Sequence, residues 1–389
     1  MSSIDADDTG NVLAAAQWAT VDVALPTPVQ SGRLVIAARQ YCCLRLTLHD
    51  GGYGEAYVMT RGLPVAEILA SSVLRSALGR PVDGLDVEGF MVELRNSGWS
   101  GPISRAVSLL LLAATDAIAR RRQVPVWRLT GHAAVPSPLI VVAIGYTPVG
   151  ESAGDHDETE ALAAAEEGAA LVKLMGGFDE PAHDVARATR LVQQLPANVG
   201  VAIDVNAAWS PPVAAAMLPL LADAGVRMVE DGYPYELGVA LPASSRGSNT
   251  PDLAMGEVLS SPLEVRALLR DHSVSWLRLD ATLVGGPVAF TNLCALARQH
   301  GVGLMPHYWP EFHRHLLPPP ARGNRPDYLE CTLPGAGGFG QESFVRGLPR
   351  LQAGGLTGNE GGGFGLDLDW AAIEKLAHGD IGRLDARRI

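Results

Sequence analysis

A repeated pattern of strand-like and helix-like segments from about residue 136 onward is the feature that most limits the fold. Eight short apolar runs, many rich in β-branched residues, alternate with stretches rich in Ala and Leu, most of which are compatible with a helix. The runs are LIVVAI, ALVKLM, VGVAIDV, VRMVE, DLAMGE, SWLRLD, VGLMP and DYLEC. Alternating strands and helices are typical of parallel strands joined by crossover helices. Eight such units predict a closed (β/α) barrel.

The first 135 residues have a different pattern and predict a separate α+β domain. Residues 20–60 resemble strands, and HDGG within CCLRLTLHDGGYGEAYV predicts a hairpin turn. Three helical stretches follow: PVAEILASSVLRSALG, LDVEGFMVELRN and ISRAVSLLLLAATDAIARRRQ. The Gly-rich tail GLTGNEGGGFGLDLDW contains a short alternating strand that we expect to pair with this domain. We predict an N-terminal α+β domain at 1–135, a barrel at 136–350 and a returning C-terminal segment at 351–389.

Composition excludes several other classes of protein. With 47% hydrophobic and 19% charged residues among 389, the chain can bury a large core and is unlike disordered sequences. The net charge of −12 argues against a nucleic-acid partner. No run approaches the roughly 18 uninterrupted apolar residues that span a membrane, and the start MSSIDADDTG is unlike a signal peptide. Because the four cysteines are scattered without CxxC spacing, we expect a reduced, cytoplasmic protein.

Seven ionisable residues fall at the ends of successive predicted strands. They are Lys173, Asp204, Glu230, Glu257, Asp280, His307 and Glu330. Their intervals of 31, 26, 27, 23, 27 and 23 residues are each close to one strand-plus-helix unit. In a barrel all seven would point to the rim where active sites of this fold lie. A single acidic residue at such a position commonly caps a helix or lies in a solvated loop, but seven in register are hard to obtain by chance.

The three carboxylates of Asp204, Glu230 and Glu257 end three successive strands and predict a metal site. Carboxylates that converge on one rim repel one another and need a cation. Because the ligands are all oxygen, with no Cys or His nearby, they favour a hard ion, and Mg²⁺ first.

Asp280 and His307 end the next two strands and predict an acid–base pair. A carboxylate beside an imidazole fixes its tautomer and raises its basicity, which gives a base that works near neutral pH. A lone histidine after Met-Pro would more often be structural. The matching position of Asp280, one strand earlier, favours the catalytic interpretation.

The ordered motifs VKLM, DVN, VED, GE, LDATLVGG, MPH and LEC resemble the barrel of mandelate racemase-like enzymes of the enolase superfamily. YGEA and ATDAIARRRQVPVWRLTG resemble the capping domain of that family, so the resemblance covers nearly the whole chain. It implies a TIM-type (β/α) barrel with an N-terminal α+β capping domain that the C-terminal tail completes. It also implies Mg²⁺ on the three carboxylates and a histidine that acts as general base or acid.

The same resemblance implies roles for three further side chains. Glu330 would hydrogen-bond the substrate carboxylate, while Lys173 and Asn206 would support the developing enediolate. The substrate implied is a small carboxylic acid, and the family often forms homo-oligomers from dimers to octamers.

One position departs from the family pattern. The second strand of the family ends in Lys-x-Lys, and the second lysine is the base on the other face of the substrate; here the segment is Lys173-Leu174-Met175. Methionine cannot accept a proton. Only two of the 30 basic residues are lysines, and the other, Lys375, lies in a predicted surface helix. We therefore expect Lys173 to act as a cation for the substrate carboxylate rather than as a base.

With one base, dehydration of an aldonic or aldaric acid to a 2-keto-3-deoxy acid is the predicted reaction. His307 would take the proton next to the carboxylate, and its protonated form would then protonate a β-hydroxyl leaving group. A racemase or epimerase with an unrecognised second acid is the alternative within the family. An inactive metal-binding scaffold is the alternative of another class, although such a scaffold has no need of a dyad.

Substrate selection is expected to come from two loops of the capping domain, near Leu25–Arg33 and Gly51–Arg61. Tyr53 and Arg61 are candidates to reach the far end of the substrate. His313 and His315, spaced i, i+2 in EFHRHLL, do not share a helical face, so we interpret them as surface or loop residues. GGGFG lacks the Lys-Ser/Thr of a phosphate loop and predicts a turn.

Overall fold

The N-terminal domain is built on an antiparallel sheet. The computed structural model describes residues 9–31, 34–99, 101–131, 138–151, 153–177, 180–235, 249–270, 274–319, 325–334, 336, 338–359 and 361–388. The first strands are β1 (Leu13–Ser31), β2 (Leu34–Leu48) and β3 (Tyr53–Met59). The predicted hairpin between β2 and β3 is confirmed: Thr47 pairs with Tyr53, and Gly51 in the turn has a φ of +83°, which favours glycine.

Helices cover this sheet and join it to the barrel. They are α1 (Val65–Ile68), α2 (Leu74–Ala77), α3 (Val87–Glu93), α4 (Gly101–Arg121) and α5 (Val126–Leu129), with a π-helical turn at Leu69–Val73. Short 3-10 turns lie at Thr9–Asn11, Val82–Gly84, Arg95–Ser97, Gln341–Ser343 and Ala386–Arg388. By length and composition α4 could cross a membrane, but 83% of its apolar window is buried inside the protein. It packs on β3 as a core helix.

Eight parallel strands form the predicted barrel. They are β4 (Leu139–Ile144), β6 (Leu171–Met175), β7 (Gly200–Asp204), β8 (Met228–Glu230), β9 (Asp252–Met255), β10 (Trp276–Leu277), β11 (Gly303–Leu304) and β12 (Tyr328–Cys331), in the order β11-β10-β9-β8-β7-β6-β4-β12. The short β5 (Thr147–Pro148) pairs with β1. The helices are α6 (Ala153–Glu166), α7 (Pro181–Gln194), α8 (Pro211–Asp223), α9 (Pro262–Arg270), α10 (Gly286–Gln299) and α11 (Pro310–Leu316).

The gap between β11 and β12 is bridged by carboxylates instead of paired strands. Within the described ranges, Asp327 Oδ1 accepts the Leu304 N–H at 3.2 Å, and Glu330 Oε2 accepts the Tyr308 N–H at 2.9 Å. The barrel is therefore nearly closed, and one of its closing groups belongs to the candidate site.

An apolar layer fills one end of the barrel. Its members are Val141, Leu171, Ala202, Met228, Ala254, Trp276, Met305 and Tyr328. Side chains of a strand alternate between its two faces, so the second residue after each of these also faces the interior. In six of the eight cases that residue is ionisable: Lys173, Asp204, Glu230, Arg278, His307 and Glu330. A charged layer thus lies directly above the apolar one.

The C-terminal tail returns to the N-terminal domain, as predicted. Its elements are β13 (Val345–Arg346), β14 (Arg350–Gln352), β15 (Gly355–Thr357), β16 (Asp367–Leu368), α12 (Trp370–Leu376) and β17 (Gly382–Asp385), and β17 pairs with β1. Glu55 of the YGEA motif accepts hydrogen bonds from the Leu368 N–H and Trp370 Nε1. Asp116 of the ATDA motif accepts the Phe364 N–H. These motifs fasten the tail in place, and the predicted surface position of Lys375 is confirmed.

The two segments predicted to be specificity loops are mostly β-strand, so the prediction of loops there is wrong. Residues 25–31 belong to β1, and residues 53–59 are β3; Arg33 lies outside the described residues. The strand accommodates Pro26 and Pro28 at a register irregularity between Ala24 and Val29.

Candidate active site

The three predicted metal ligands lie together at one rim of the barrel. Asp204 and Glu230 end β7 and β8, Glu257 follows β9, and one carboxylate oxygen of each lies within 4.8 Å of the other two. Burial raises the pKa of Asp204; the charge of Lys173 opposes this, and that of Glu257 adds to it. A cation shared by the three carboxylates would remove this repulsion.

The chemistry of these oxygens fits Mg²⁺. Glu230 Oε2 is buried and accepts no hydrogen bond from the described residues. It forms an ion pair with Lys173, whose Nζ lies 2.9 Å away. Oxygen ligands of Mg²⁺ lie at about 2.0–2.1 Å, so any two of them are at most about 4.2 Å apart. Only a small side-chain movement separates the observed cluster from that geometry.

The predicted pair of Asp280 and His307 is formed. His307 Nδ1 lies 3.2 Å from Asp280 Oδ2, and His307 Nε2 lies 3.5 Å from Glu257 Oε2. Asp280 Oδ1 accepts the N–H and hydroxyl of Thr282 at 2.7 and 2.6 Å, and Trp309 Nε1 donates to Oδ2 at 3.2 Å. Burial raises the pKa of Asp280, but the hydrogen bond and charge of His307 outweigh it and lower the pKa. An ionised Asp280 keeps the proton on Nδ1, so Nε2, which faces the carboxylate of Glu257, is the nitrogen that can exchange a proton.

The backbone after His307 is strained. Tyr308 and Trp309 have φ of 43° and 44°, values that cost about 1–3 kcal/mol for residues other than glycine. Each residue is held by a carboxylate of the site, because the Tyr308 N–H donates to Glu330 and Trp309 Nε1 donates to Asp280. These hydrogen bonds hold the strained segment, and with it His307, against both carboxylates.

Lys173 is surrounded by carboxylates at the charged layer. Its Nζ lies 2.7 Å from Glu330, 2.9 Å from Glu230 and 3.2 Å from Asp204. Burial lowers the pKa of this ammonium, but the charges of Glu230 and Glu330 outweigh it and raise the pKa well above its usual value. Lys173 is therefore a cation. Glu330 is engaged by donors of the chain itself, so its expected contact with a substrate stays a prediction.

Arg278 is a buried cation that the sequence analysis missed. Its Nε donates to Glu230 Oε1 at 2.7 Å, its Nη2 to Glu330 Oε2 at 2.5 Å, and its Nη1 to the Met305 and Pro306 carbonyls. Every bond is made inside the barrel. The alternation in SWLRLD could have found it, because Arg278 lies midway between Trp276 and Asp280 on the same strand face.

Met175 and Asn206 lie at the same rim. Met175 is buried as the last residue of β6, two residues beyond Lys173. Asn206 is exposed with a φ of 49°, and its N–H donates to Asp204 Oδ1 at 2.9 Å. The backbone amide of Asn206 is thus next to a candidate metal ligand. The proposed contact of Asn206 with a substrate stays a prediction.

His313 and His315 are buried in α11, so the prediction of a surface position is wrong. His313 Nδ1 lies 2.6 Å from the Tyr308 carbonyl, Nε2 accepts the Ala281 N–H at 3.0 Å, and the ring stacks on Phe290. Burial lowers the pKa of His313 to about 4. A neutral His313 thus joins the segments that follow Asp280 and His307. The burial arises from tertiary packing, which i, i+2 spacing does not reveal.

Tyr53 and Arg61 lie at opposite ends of β3. Tyr53 lies between Arg45 and Arg120, whose guanidinium carbons are 5.1 and 4.8 Å from its ring centroid. Arg61 is exposed, and its charge acts on Glu257. Seven strand residues at about 3.3 Å each separate the two ends by roughly 20 Å. One small substrate therefore cannot contact both side chains.

Comparisons with known proteins agree with this architecture. The family model described as "Enolase C-terminal domain-like" matches residues 157–372, which is more than half of the chain. Muconate cycloisomerase 1 of Rhodococcus opacus is 28% identical over 293 residues, covering 72% of this chain and 76% of that protein.

Two solved structures share the whole fold. One is L-talarate/galactarate dehydratase from Salmonella typhimurium LT2 liganded with Mg and L-lyxarohydroxamate, with a TM-score of 0.82, 21% identity and coverage of 99% and 97% of the two chains. The other is a racemase from Streptomyces coelicolor A3(2) with bound magnesium, with a TM-score of 0.81, 20% identity and coverage of 94% and 100%. The relatives catalyse different reactions, so similarity alone does not select one.

Proposed function

Because the chain belongs to the enolase C-terminal domain-like family and is a Mg²⁺-dependent enzyme of the enolase superfamily, we propose that it removes the proton next to a carboxylate and dehydrates an aldonic or aldaric acid. The observation that supports this is that one acid–base group among the described residues faces the carboxylate cluster. His307, held by Asp280, is that group, while Met175 occupies the position where the family has a second base. Asp204, Glu230 and Glu257 would hold the ion.

The proposed chemistry follows from what each side chain can do. When bound, Mg²⁺ supplies positive charge beside the carboxylate oxygens. Lys173 adds a fixed cation where negative charge develops, and Asn206 offers an amide donor. His307 Nε2 takes the α-proton and then returns a proton to the β-hydroxyl as the C–O bond breaks and water leaves. The resulting enol tautomerises to the 2-keto-3-deoxy acid.

A substrate screen tests the reaction directly. The protein with Mg²⁺ is incubated with a library of aldonic and aldaric acids, and formation of 2-keto acids is measured. We expect product from one acid or a small group of related acids. Absence of product from the whole library would contradict the dehydratase proposal.

A histidine variant separates catalysis from metal binding. We expect His307→Asn to abolish turnover while leaving Mg²⁺ affinity within about twofold, because the imidazole is not a proposed ligand. The matched control is His378→Asn, which removes an exposed histidine of the tail. Substantial activity in His307→Asn would mean that another group is the base. Absence of turnover in the unmodified protein as well as in the variants would favour an inactive scaffold.

Proton exchange distinguishes dehydration from racemisation. In D₂O we expect deuterium to enter the α-carbon of one configuration only, because a base stands on one face. Met175→Lys adds an amine on the other face and is expected to introduce exchange there, at a cost of a few kcal/mol for burying it. Equal exchange of both configurations by the unmodified protein would favour the racemase or epimerase alternative.

A further inference from the structure

Three arginines of the capping domain, Arg39, Arg61 and Arg105, have no acidic partner at ion-pair distance among the described residues, although the charges of Asp280 and Glu257 act on Arg105. Within the described part of the chain, none of them forms an ion pair, and their hydrogen bonds are one each from Arg39 and Arg105 to a backbone carbonyl. Arg105 is only 7% exposed. Buried charges are normally paired, because removing an ion from water without a partner is costly. An unpaired, buried guanidinium therefore indicates a missing anion.

The three side chains come from different elements: β2, the turn after β3, and α4. Arg39, on β2, donates from Nε to the Gly338 carbonyl at 2.7 Å, and its guanidinium carbon lies 5.3 Å from the Phe339 ring centroid. Phe339 in turn stacks on Tyr308, the residue after His307, with centroids 3.6 Å apart. Arg39 is thus one aromatic layer away from the segment that carries the proposed base.

Arg105 lies on α4. Its Nη1 donates to the Met59 carbonyl at 3.4 Å, at the end of β3. The preceding residue, Ser104, hydrogen-bonds the Ser260 and Leu283 carbonyls, which follow Glu257 and Asp280 by three residues each. The helix is therefore fastened to the rim beside those two carboxylates.

Arg61 interacts electrostatically with both of the other arginines. It follows β3 directly, and its positive charge acts on Arg39, Arg105 and Glu257. Its φ of 53° lies in a turn that the Gly62 N–H fastens to the Thr60 hydroxyl at 3.2 Å. Arg61 thus repels both of the other arginines, and an anion beside it would relieve that repulsion.

We propose that Arg39, Arg61 and Arg105 bind a second anionic group at the far end of the substrate. The substrate class is then a dianionic acid, either an aldaric acid or an aldonic acid with a terminal phosphate, and not a simple aldonic acid. Guanidinium groups match both anions because their N–H donors bind carboxylate or phosphate in pairs. This inference rests on the proposed function, since the first carboxylate is assigned to the metal end.

The test measures binding without requiring turnover. His307→Asn with Mg²⁺ is titrated by calorimetry with six-carbon aldaric acids, the matching aldonic acids and the matching 6-phosphoaldonic acids. We expect at least one dianionic acid to bind tenfold or more tightly than its aldonic counterpart. Preference for the aldaric member identifies a terminal carboxylate, and preference for the phosphorylated member identifies a phosphate ester.

Arginine variants in the same background assign the preference to these residues. Arg105→Gln and Arg61→Gln are each expected to reduce the preference to threefold or less while leaving aldonic acid affinity unchanged. Arg61 is exposed, so its replacement removes charge without a packing defect. The matched control, Arg75→Gln, removes an exposed arginine of α2 and should leave the preference intact.

Two outcomes overturn the inference: no dianionic acid binds more tightly than its aldonic counterpart, or the arginine variants weaken both classes equally. Its failure is distinct from failure of the proposed function. Dehydration of aldonic acids alone by the unmodified enzyme would keep the function and reject the arginine site. Selective binding of dianionic acids without turnover by the unmodified enzyme would do the reverse.

Discussion

Glu311 provides a sharp test of how burial controls charge in this protein. Its side chain lies in the first turn of α11 and is 1% exposed. Oε1 accepts the hydroxyl of Tyr57 on β3, while Oε2 has no hydrogen-bond partner among the described residues. Burial raises the pKa of Glu311 to about 7 from an ordinary 4.5. The carboxyl joins the barrel to the capping domain and is destabilising when ionised.

The sign of the effect on stability follows from proton binding. Because the folded pKa of Glu311 is the higher one, the native state binds the proton more tightly than the unfolded state between about pH 4.5 and 7. The free energy of unfolding therefore falls as pH rises through that window and is level above it. A difference of about 2.5 pKa units at about 1.4 kcal/mol each gives an upper estimate of about 3 kcal/mol.

Glu311→Gln keeps an oxygen acceptor for Tyr57 and removes the charge. We expect it to raise the free energy of unfolding by about 2–3 kcal/mol at pH 8 and by less than about 1 kcal/mol at pH 5. The measurement is denaturant unfolding followed by circular dichroism at several pH values, with fixed protein and Mg²⁺ concentrations. Glu374→Gln, an exposed glutamate of α12, is the control. An equal change at all pH values, or a loss at pH 8, would refute the reasoning.

Three further predictions concern packing and the metal site. Gly54→Ala would place Cβ 2.1 Å from the Ala113 carbonyl, so we expect a loss of about 1–3 kcal/mol or more in unfolding experiments, whereas Gly84→Ala meets open space and should lose little. Arg278→Lys removes the guanidinium that bridges Glu230 and Glu330 and should weaken Mg²⁺ binding tenfold or more by calorimetry; unchanged affinity would exclude that positioning role. Mg²⁺ at 100 times its Kd should raise the free energy of unfolding by about 3 kcal/mol, which excess EDTA should reverse.

The barrel could be predicted because its strands and its ionisable residues repeat with the same interval. Each ionisable residue at a strand end added independent support for the register, which is why Asp204, Glu230 and Glu257 were found together. The dyad of Asp280 and His307 followed from the same register, although both lie beyond the last paired residues of β10 and β11. Backbone hydrogen bonds continue there, from the His307 N–H to the Leu279 carbonyl at 2.9 Å.

Residues outside that register were missed for physical reasons. Arg278 lies two residues before a strand end, in a segment where buried charge is unusual, and only strand alternation points to it. His313 is buried because Phe290 and the backbone around Asp280 pack on it, which requires the tertiary structure. That Arg39 and Arg105 form no ion pair within the described residues is likewise evident only in the tertiary structure, which brings distant segments together.

The charged layer also supports the expectation that Lys173 of β6 acts as a cation and not as a second base. The apolar layer beneath it excludes water, so each buried charge requires a neighbour of opposite sign. The Lys173 ammonium lies within 3.2 Å of three carboxylates, two of which are candidate metal ligands. Even if an ion replaces it beside Asp204 and Glu230, Glu330 remains at 2.7 Å and favours the charged form. By resemblance to the family, a base on this face is expected at the position of Met175, whose thioether cannot accept the proton.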